Sequence, residues 1–101
     1  MPSSSYSYRG VYLLHFDPPY AHAGHYLGYA KRNLLDYARA VASGRQWAPH
    51  PLVEAAIGQG STVKVVDWWP GENRAFQRRL RSQGGLSRHC PTCRAAGAFH
   101  A

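Results

Sequence analysis

Acidic residues are scarce in this chain. Five Asp and Glu stand against twelve Lys and Arg, which gives a formal net charge of +7 over 101 residues. A surplus of this size favours polyanionic partners, because Coulomb attraction and counterion release from phosphate both strengthen such binding. The charge therefore favours a polyanion, such as nucleic acid, as the partner.

Cysteine and long apolar runs are also scarce. The two cysteines are spaced Cys90-x-x-Cys93, which is not the disulfide framework of a small secreted domain. No apolar run approaches the roughly 20 residues that span a bilayer. Residues 1–6 lack the charged-then-apolar plan of a signal peptide. We therefore expect a cytoplasmic protein without a membrane partner.

The chain does contain enough apolar material for one folded domain. Hydrophobic residues make up 45% of it and aromatic residues 13%, which is too much for a disordered chain. We expect a flexible arm over residues 1–8, a single domain over residues 9–94 and a tail over residues 95–101. No internal repeat or low-complexity linker interrupts the domain.

Local patterns predict an α/β fold of the α+β type. Runs rich in β-branched and aromatic residues predict strands at 9–16, 25–29 and 62–69. Apolar periodicity and stop signals predict helices at 34–43, 52–57 and about 73–83. Their order predicts a small three-stranded, largely antiparallel sheet flanked by helices.

The sequence also predicts three details of these elements. Pro18 and Pro19 are expected to hold a loop over residues 17–24. Asn33 is expected to cap the first helix. The buried stripe of that helix is predicted at i, i+4 and i+7, that is, at Leu34, Ala38 and Val41.

Two short motifs carry a tyrosine and a glycine each. They are Gly10-Val11-Tyr12 on the first predicted strand and Tyr26-Leu27-Gly28 on the second. Joined by one loop, the strands should bring Tyr12 and Tyr26 close together. Neighbouring phenols can position a phosphate or a water, and a glycine lets a ligand approach the backbone. The alternative is that both tyrosines simply pack in a small core.

The ordered set of motifs resembles the GIY-YIG nuclease family, in particular its small stand-alone bacterial members. The likeness covers about residues 9–94 and includes the segments Arg78-Arg79-Leu80 and Arg88-His89-Cys90-Pro91-Thr92-Cys93. It implies the fold given above and cleavage of DNA phosphodiester bonds with a divalent metal, Mg²⁺ or Mn²⁺. It also implies that Tyr12 and Tyr26 surround the attacking water and the scissile phosphate, with Gly10 and Gly28 as motif glycines.

Two charged positions of the family's site are replaced here. The position of the family's arginine on the first helix corresponds to Tyr37, and Arg39 lies two residues further on, about 200° around the helix. The position of the metal-binding glutamate corresponds to Gln77, which lacks the formal charge that holds Mg²⁺. Glu72 lies five residues earlier.

The resemblance therefore implies an endonuclease-like domain with a degenerate site, and two alternatives stay open. One is a binding module on the same fold with weak or no cleavage. The other is a protein-interaction module with an apolar patch of Trp47, Trp68 and Trp69.

Cations that could contact a phosphate backbone lie after the second strand and towards the end of the chain. Arginines at i, i+4 and i+7 form one stripe on the last long helix, although a merely solvated basic face is the alternative. The candidate nucleic-acid-binding residues are Lys31, Arg32, Arg74, Arg78, Arg81 and Arg88.

Two groups of residues each supply part of a possible set of metal ligands. Cys90 and Cys93 supply half of a zinc site, with His89 and His100 as the remaining ligands. His15, His22 and His25 cluster in the sequence without a regular ligand spacing. We favour packing of the two cysteines as small apolar residues over zinc binding.

Overall fold

Three antiparallel strands form the centre of the computed structural model, which describes residues 8–20, 23–83 and 86–96. The strands are β1 (Gly10–Tyr20), β2 (Ala23–Ala30) and β3 (Thr62–Pro70), in the order β2-β1-β3. Strand β1 lies in the middle and pairs antiparallel with both neighbours. The predicted fold class, α+β with a three-stranded antiparallel sheet flanked by helices, is confirmed.

Four α-helices and a 3₁₀ turn surround this sheet in the described part of the chain. Helix α1 (Leu34–Ala42) follows β2, and α2 (Pro51–Gly58) precedes β3. Helix α3 (Arg74–Arg81), the 3₁₀ turn Leu86–His89 and α4 (Pro91–Ala96) complete the chain. None of these helices has the length and apolar composition that a membrane span requires.

The two faces of the sheet carry separate apolar cores because successive residues of a strand point to opposite faces. Tyr12, Leu14 and Phe16 pack against α1 and α2. Val11, Leu13 and Leu27 belong to a second core with residues of α3 and the C-terminal segment. Each face thus has its own covering layer.

Helix α1 packs as its periodicity predicts, since Leu34, Ala38 and Val41 are all buried. The expectation for Asn33 is wrong in part. Asn33 precedes the helix, but its backbone is left-handed, with φ 50° and ψ 50°, and its side chain caps no backbone N–H. Asn73, which starts α3, does cap its helix by accepting from the Phe76 N–H at 3.1 Å.

The predicted loop over residues 17–24 is wrong for residues 17–20 and 23–24, because β1 continues to Tyr20 and β2 begins at Ala23; residues 21 and 22 lie outside the described residues. Asp17 still pairs with Thr62 of β3. Pro18 and Pro19 fall in the irregular stretch between the β1–β2 pairs at His15 and Tyr20. Prolines are tolerated there because no regular ladder hydrogen bond needs their missing N–H.

Candidate metal centre and basic cleft

Two histidines face each other across the β1–β2 ladder. His15 of β1 is the direct cross-strand partner of His25 of β2, and their rings meet edge to face at 5.0 Å between centroids. Cross-strand partners project to the same face of a sheet. Both imidazoles therefore point towards the C-terminal segment.

Two cysteines approach these histidines from that segment. Cys90 lies just before α4 and Cys93 lies in its first turn, closed by a hydrogen bond from the Arg94 N–H to the Cys90 carbonyl at 3.0 Å. Both side chains are buried and both thiols are free. The Cys-x-x-Cys spacing on a helical turn thus aims both sulfurs at the sheet.

The four side chains converge on one point. His15 Nδ1 lies 3.2 Å from His25 Nε2. Cys90 Sγ lies 3.5 Å from His15 Nδ1, and Cys93 Sγ lies 3.6 Å from His15 Nδ1 and 3.3 Å from His25 Nε2. All four atoms lie within 4.8 Å of one another, so this group, the metal centre, can hold a metal ion.

The surroundings of the metal centre affect the charge states of its ligands. Burial, with His15 adding to it, lowers the pKa of His25 to about 4. Burial, with a hydrogen bond to Cys90 adding to it, raises the pKa of the Cys93 thiol to about 11. A neutral imidazole and a thiolate are the ligating forms, so metal binding there displaces a thiol proton.

The metal centre combines part of each ligand set that the sequence suggested. It takes His15 and His25 from one set and Cys90 and Cys93 from the other. His89 is not among the four ligands, although it neighbours Cys90. His22 and His100 lie outside the described residues. The expectation that Cys90 and Cys93 pack as apolar residues rather than bind zinc holds only in part. Both belong to the second core, but their sulfurs lie beside the histidines in a group that could hold a metal ion.

On the opposite face of the hairpin, three tyrosines meet. The ring of Tyr12 lies 6.2 Å from that of Tyr26 and 6.2 Å from that of Tyr37. The predicted proximity of Tyr12 and Tyr26 is confirmed. Burial raises the pKa of the Tyr12 phenol well above its ordinary value, and the two neighbouring phenols add to the shift.

The motif glycines are required for close packing. Gly28 is the cross-strand partner of Tyr12, and a Cβ at Gly28 would collide with the Tyr12 ring. A Cβ at Gly10 would lie 2.6 Å from the Trp69 carbonyl oxygen. The space over Gly28 is thus filled by the protein's own tyrosine and not by a ligand.

His50 is a site residue that the sequence did not reveal. Its ring lies 4.1 Å from the ring of Tyr26, and its Nδ1 is buried without a hydrogen-bond partner among the described residues. Burial lowers the pKa of His50 while Glu54 opposes the shift. The only sequence signal was its place before Pro51 at the start of α2, which predicts a helix and not a site.

A cleft with a strongly basic lining opens beside Tyr37. Its volume is about 260 Å³, and we call it the basic cleft. Arg74 also lies over the ring of Tyr29, 4.6 Å from the centroid. The lining residues are Tyr29, Lys31, Arg32, Tyr37 and Arg74.

Gln77 and Arg81 of α3 both bind the backbone of strand β2. The Gln77 side-chain N–H donates to the Leu27 carbonyl at 2.9 Å, and the Arg81 guanidinium donates to the same oxygen at 3.0 Å. Strand β2 is at the edge of the sheet, so these bonds satisfy a carbonyl that no further strand can reach. Gln77 therefore has a structural partner.

The remaining predicted site residues lie apart from the basic cleft. Arg39 lines a different pocket, beside Trp47. Arg78 is exposed on α3, and Arg88 is exposed on the 3₁₀ turn. Glu72 lies between β3 and α3 and is not among the lining residues.

A Mg²⁺ site at Gln77 or Glu72, which the resemblance implies, does not fit these residues. Gln77 is neutral, and its amide nitrogen is turned towards Leu27. Among the described residues, the metal centre is the one group of three or more His, Cys, Asp or Glu side chains that could hold an ion.

Comparison of the chain with protein-family models, curated proteins and solved structures finds no match in any of the three. Its function therefore has to be inferred from these residues and their geometry.

Proposed function

We propose that this protein is a nucleic-acid-binding domain, which holds a phosphate backbone in the basic cleft. The observation that carries the proposal is the lining of that cleft, where three cations and two tyrosines meet without a carboxylate. Its volume of about 260 Å³ is slightly below the roughly 300–1,000 Å³ of sites for whole drug-sized molecules. A phosphate with its sugar, as one part of a longer polymer, suits this space.

The charge and the aromatic groups act on different parts of such a ligand. Lys31, Arg32 and Arg74 offer N–H donors and positive charge to phosphate oxygens. Tyr29 and Tyr37 offer faces and hydroxyls to sugars and bases. The net charge of +7 adds a long-range attraction to the same polyanion.

Binding is favoured over cleavage by the residues around the tyrosines. Hydrolysis needs positive charge and a proton acceptor at the phosphate and, in the GIY-YIG family that the chain resembles, a carboxylate that holds a divalent metal. Here the corresponding positions are Tyr37 and Gln77, and Gln77 is engaged with Leu27. In this proposal Tyr26 and Tyr37, which are half-buried, belong to the binding surface, and the buried Tyr12 packs against both of them.

Fluorescence anisotropy with labelled DNA tests this proposal. Three phosphate contacts predict a slope of log K against log salt of about −2 to −3, and Arg74→Ala should reduce its magnitude by nearly 1. Arg79→Ala is the matched control, since it removes the same charge from the same helix outside the cleft. An affinity that does not change with salt concentration, or an equal loss of affinity in both variants, would contradict the proposal.

The same DNA incubated with Mg²⁺, Mn²⁺ or EDTA separates binding from cleavage. We expect intact DNA in all three cases. If the wild type nicks DNA in a metal-dependent way and Tyr12→Phe does not, the protein is an endonuclease and the proposed function of binding alone is wrong.

We also propose that the ion of the metal centre is Zn²⁺ in a structural role. Tetrahedral Zn²⁺ with bonds of about 2.0–2.1 Å to nitrogen and about 2.3 Å to sulfur places nitrogens about 3.3 Å apart and nitrogen and sulfur about 3.6 Å apart. The separations in the structure are 3.2 Å between the nitrogens and 3.3–3.6 Å for three nitrogen–sulfur pairs. Four protein ligands of this kind close the coordination shell, as in structural zinc sites.

Metal analysis of the purified protein tests the zinc proposal. We expect one Zn²⁺ per chain, lost in His15→Ala and in Cys93→Ala and retained in His89→Ala. Substituted Co²⁺ should give the absorption spectrum of a tetrahedral site with two thiolates. Zinc that depends on His89 would overturn the ligand assignment.

A further inference from the structure

A second pocket lies on the other side of the start of helix α1. Its volume is about 390 Å³, and its lining includes Asn33, Asp36, Arg39, Arg45 and Trp47. We call it the tryptophan pocket. The proposed phosphate-binding function does not use it.

The chemistry of the tryptophan pocket differs from that of the basic cleft. Trp47 has 62% of its surface exposed, so a flat indole face is available to a ligand. The lining also holds a carboxylate, at Asp36, which repels phosphate and accepts hydrogen bonds from N–H groups. Asn33 adds an amide that caps no backbone N–H of its own helix.

These groups fit a nucleobase. An aromatic face stacks on any base, and the amide of Asn33 and the carboxylate of Asp36 can bind the donors and acceptors of a base edge. A volume of about 390 Å³ lies within the roughly 300–1,000 Å³ of ligand sites. The guanidinium groups of Arg39 and Arg45 can meet the flanking phosphates.

The tryptophan pocket and the basic cleft adjoin each other. Arg32 lines the basic cleft, and the next residue, Asn33, lines the tryptophan pocket. Likewise, Tyr37 lines the cleft and its neighbour Asp36 lines the pocket. The ring of Tyr37 also lies 6.1 Å from that of Trp47. One strand can therefore lie across both sites, with a phosphate in one and the neighbouring base in the other.

From this arrangement we infer that the nucleic acid is single-stranded, with one unpaired base stacked on Trp47 in the tryptophan pocket. A base inside a duplex is stacked and paired, so its face and its pairing edge cannot enter a concave site. This inference rests on the proposed binding of phosphate in the basic cleft and names the substrate class of that site.

The test compares three labelled ligands of equal length at fixed salt: single-stranded oligothymidine, its abasic counterpart and a duplex. The wild type should bind the single strand about tenfold more tightly than the abasic strand, because stacking of one base is lost. Trp47→Ala should remove most of that difference, and Trp47→Phe should keep most of it. Trp68→Ala is the matched control, since Trp68 is also exposed, at 37%, and lies on β3 outside both sites.

The outcomes separate this inference from the proposed function. Arg74→Ala should weaken binding of the normal and the abasic strand by the same factor. Salt-dependent binding of both strands with equal affinity, unchanged by Trp47→Ala, would overturn the base pocket and leave the phosphate cleft standing. Tighter binding of the duplex would also overturn it. No binding of any strand would overturn the proposed function itself.

Discussion

Removal of the proposed zinc ion should destabilise this fold more than any single surface substitution. An ion held by all four ligands links His15 to Cys90 across 75 positions of the chain. Closing a loop of that length removes unfolded-state entropy worth about 4–5 kcal/mol, by the relation used for disulfide cross-links. Domains of this size have a total unfolding free energy of about 5–15 kcal/mol, so the metal-free protein should be marginally stable.

Thermal unfolding followed by far-UV circular dichroism measures this effect. A loss of about 4–5 kcal/mol predicts a melting temperature about 16–40 °C lower with EDTA than with equimolar Zn²⁺, at about 4–8 °C per kcal/mol. Cys93→Ala should melt near the EDTA-treated wild type and should not respond to zinc. His89→Ala should keep the full zinc response.

A difference in melting temperature below about 5 °C between the EDTA-treated and the zinc-loaded wild type would refute the reasoning. It would mean that the C-terminal segment is held on the sheet by apolar packing alone. Cys90 and Cys93 would then act only as members of the second core.

Three further predictions concern the tyrosine face and the contact between α3 and strand β2. Gly28→Ala should cost about 1–3 kcal/mol in urea unfolding because its Cβ collides with the Tyr12 ring, whereas Gly58→Ala, which meets nothing within 4 Å, should be neutral or slightly stabilising. Above about pH 10 the Tyr12 phenol loses its proton in the unfolded state but keeps it in the folded state, where it is buried. The free energy of unfolding should therefore fall by about 1.4 kcal/mol per pH unit. The fall should be less steep in Tyr12→Phe. Gln77→Glu should cost about 1–2 kcal/mol, measured in the same way, because a carboxylate cannot donate to the Leu27 carbonyl; an unchanged midpoint would show that Arg81 satisfies that oxygen alone.

The sheet and helices could be predicted because their signals are local. The β-branched run of β3 and the apolar stripe of α1 each lie within one element, so both can be recognised in the sequence without knowledge of the fold. The exceptions involve partners elsewhere in the chain. Pro18 and Pro19 indicate a loop locally, but the pairing of Asp17 with Thr62 extends the strand past them.

The candidate sites were less predictable than the fold for the same reason. Tyr12 and Tyr26 could be paired because each sits in a recognisable triplet. The pairing of His15 with His25 depends on the register of an irregular hairpin, and their contact with Cys93 depends on how the C-terminal segment folds back. His50 gave no signal, since only tertiary packing places it on Tyr26.

The register of the β1–β2 hairpin joins the metal centre to the tyrosine face. A slip of one residue would move every side chain of a strand to the opposite face of the sheet. The register that pairs His15 with His25 also pairs Tyr12 with Gly28, the one position opposite Tyr12 where the ring fits. An ion bound by both histidines is incompatible with a slipped hairpin, so it stabilises the arrangement that forms the tyrosine cluster on the other face. The metal centre would thus support the proposed nucleic-acid binding without touching the ligand.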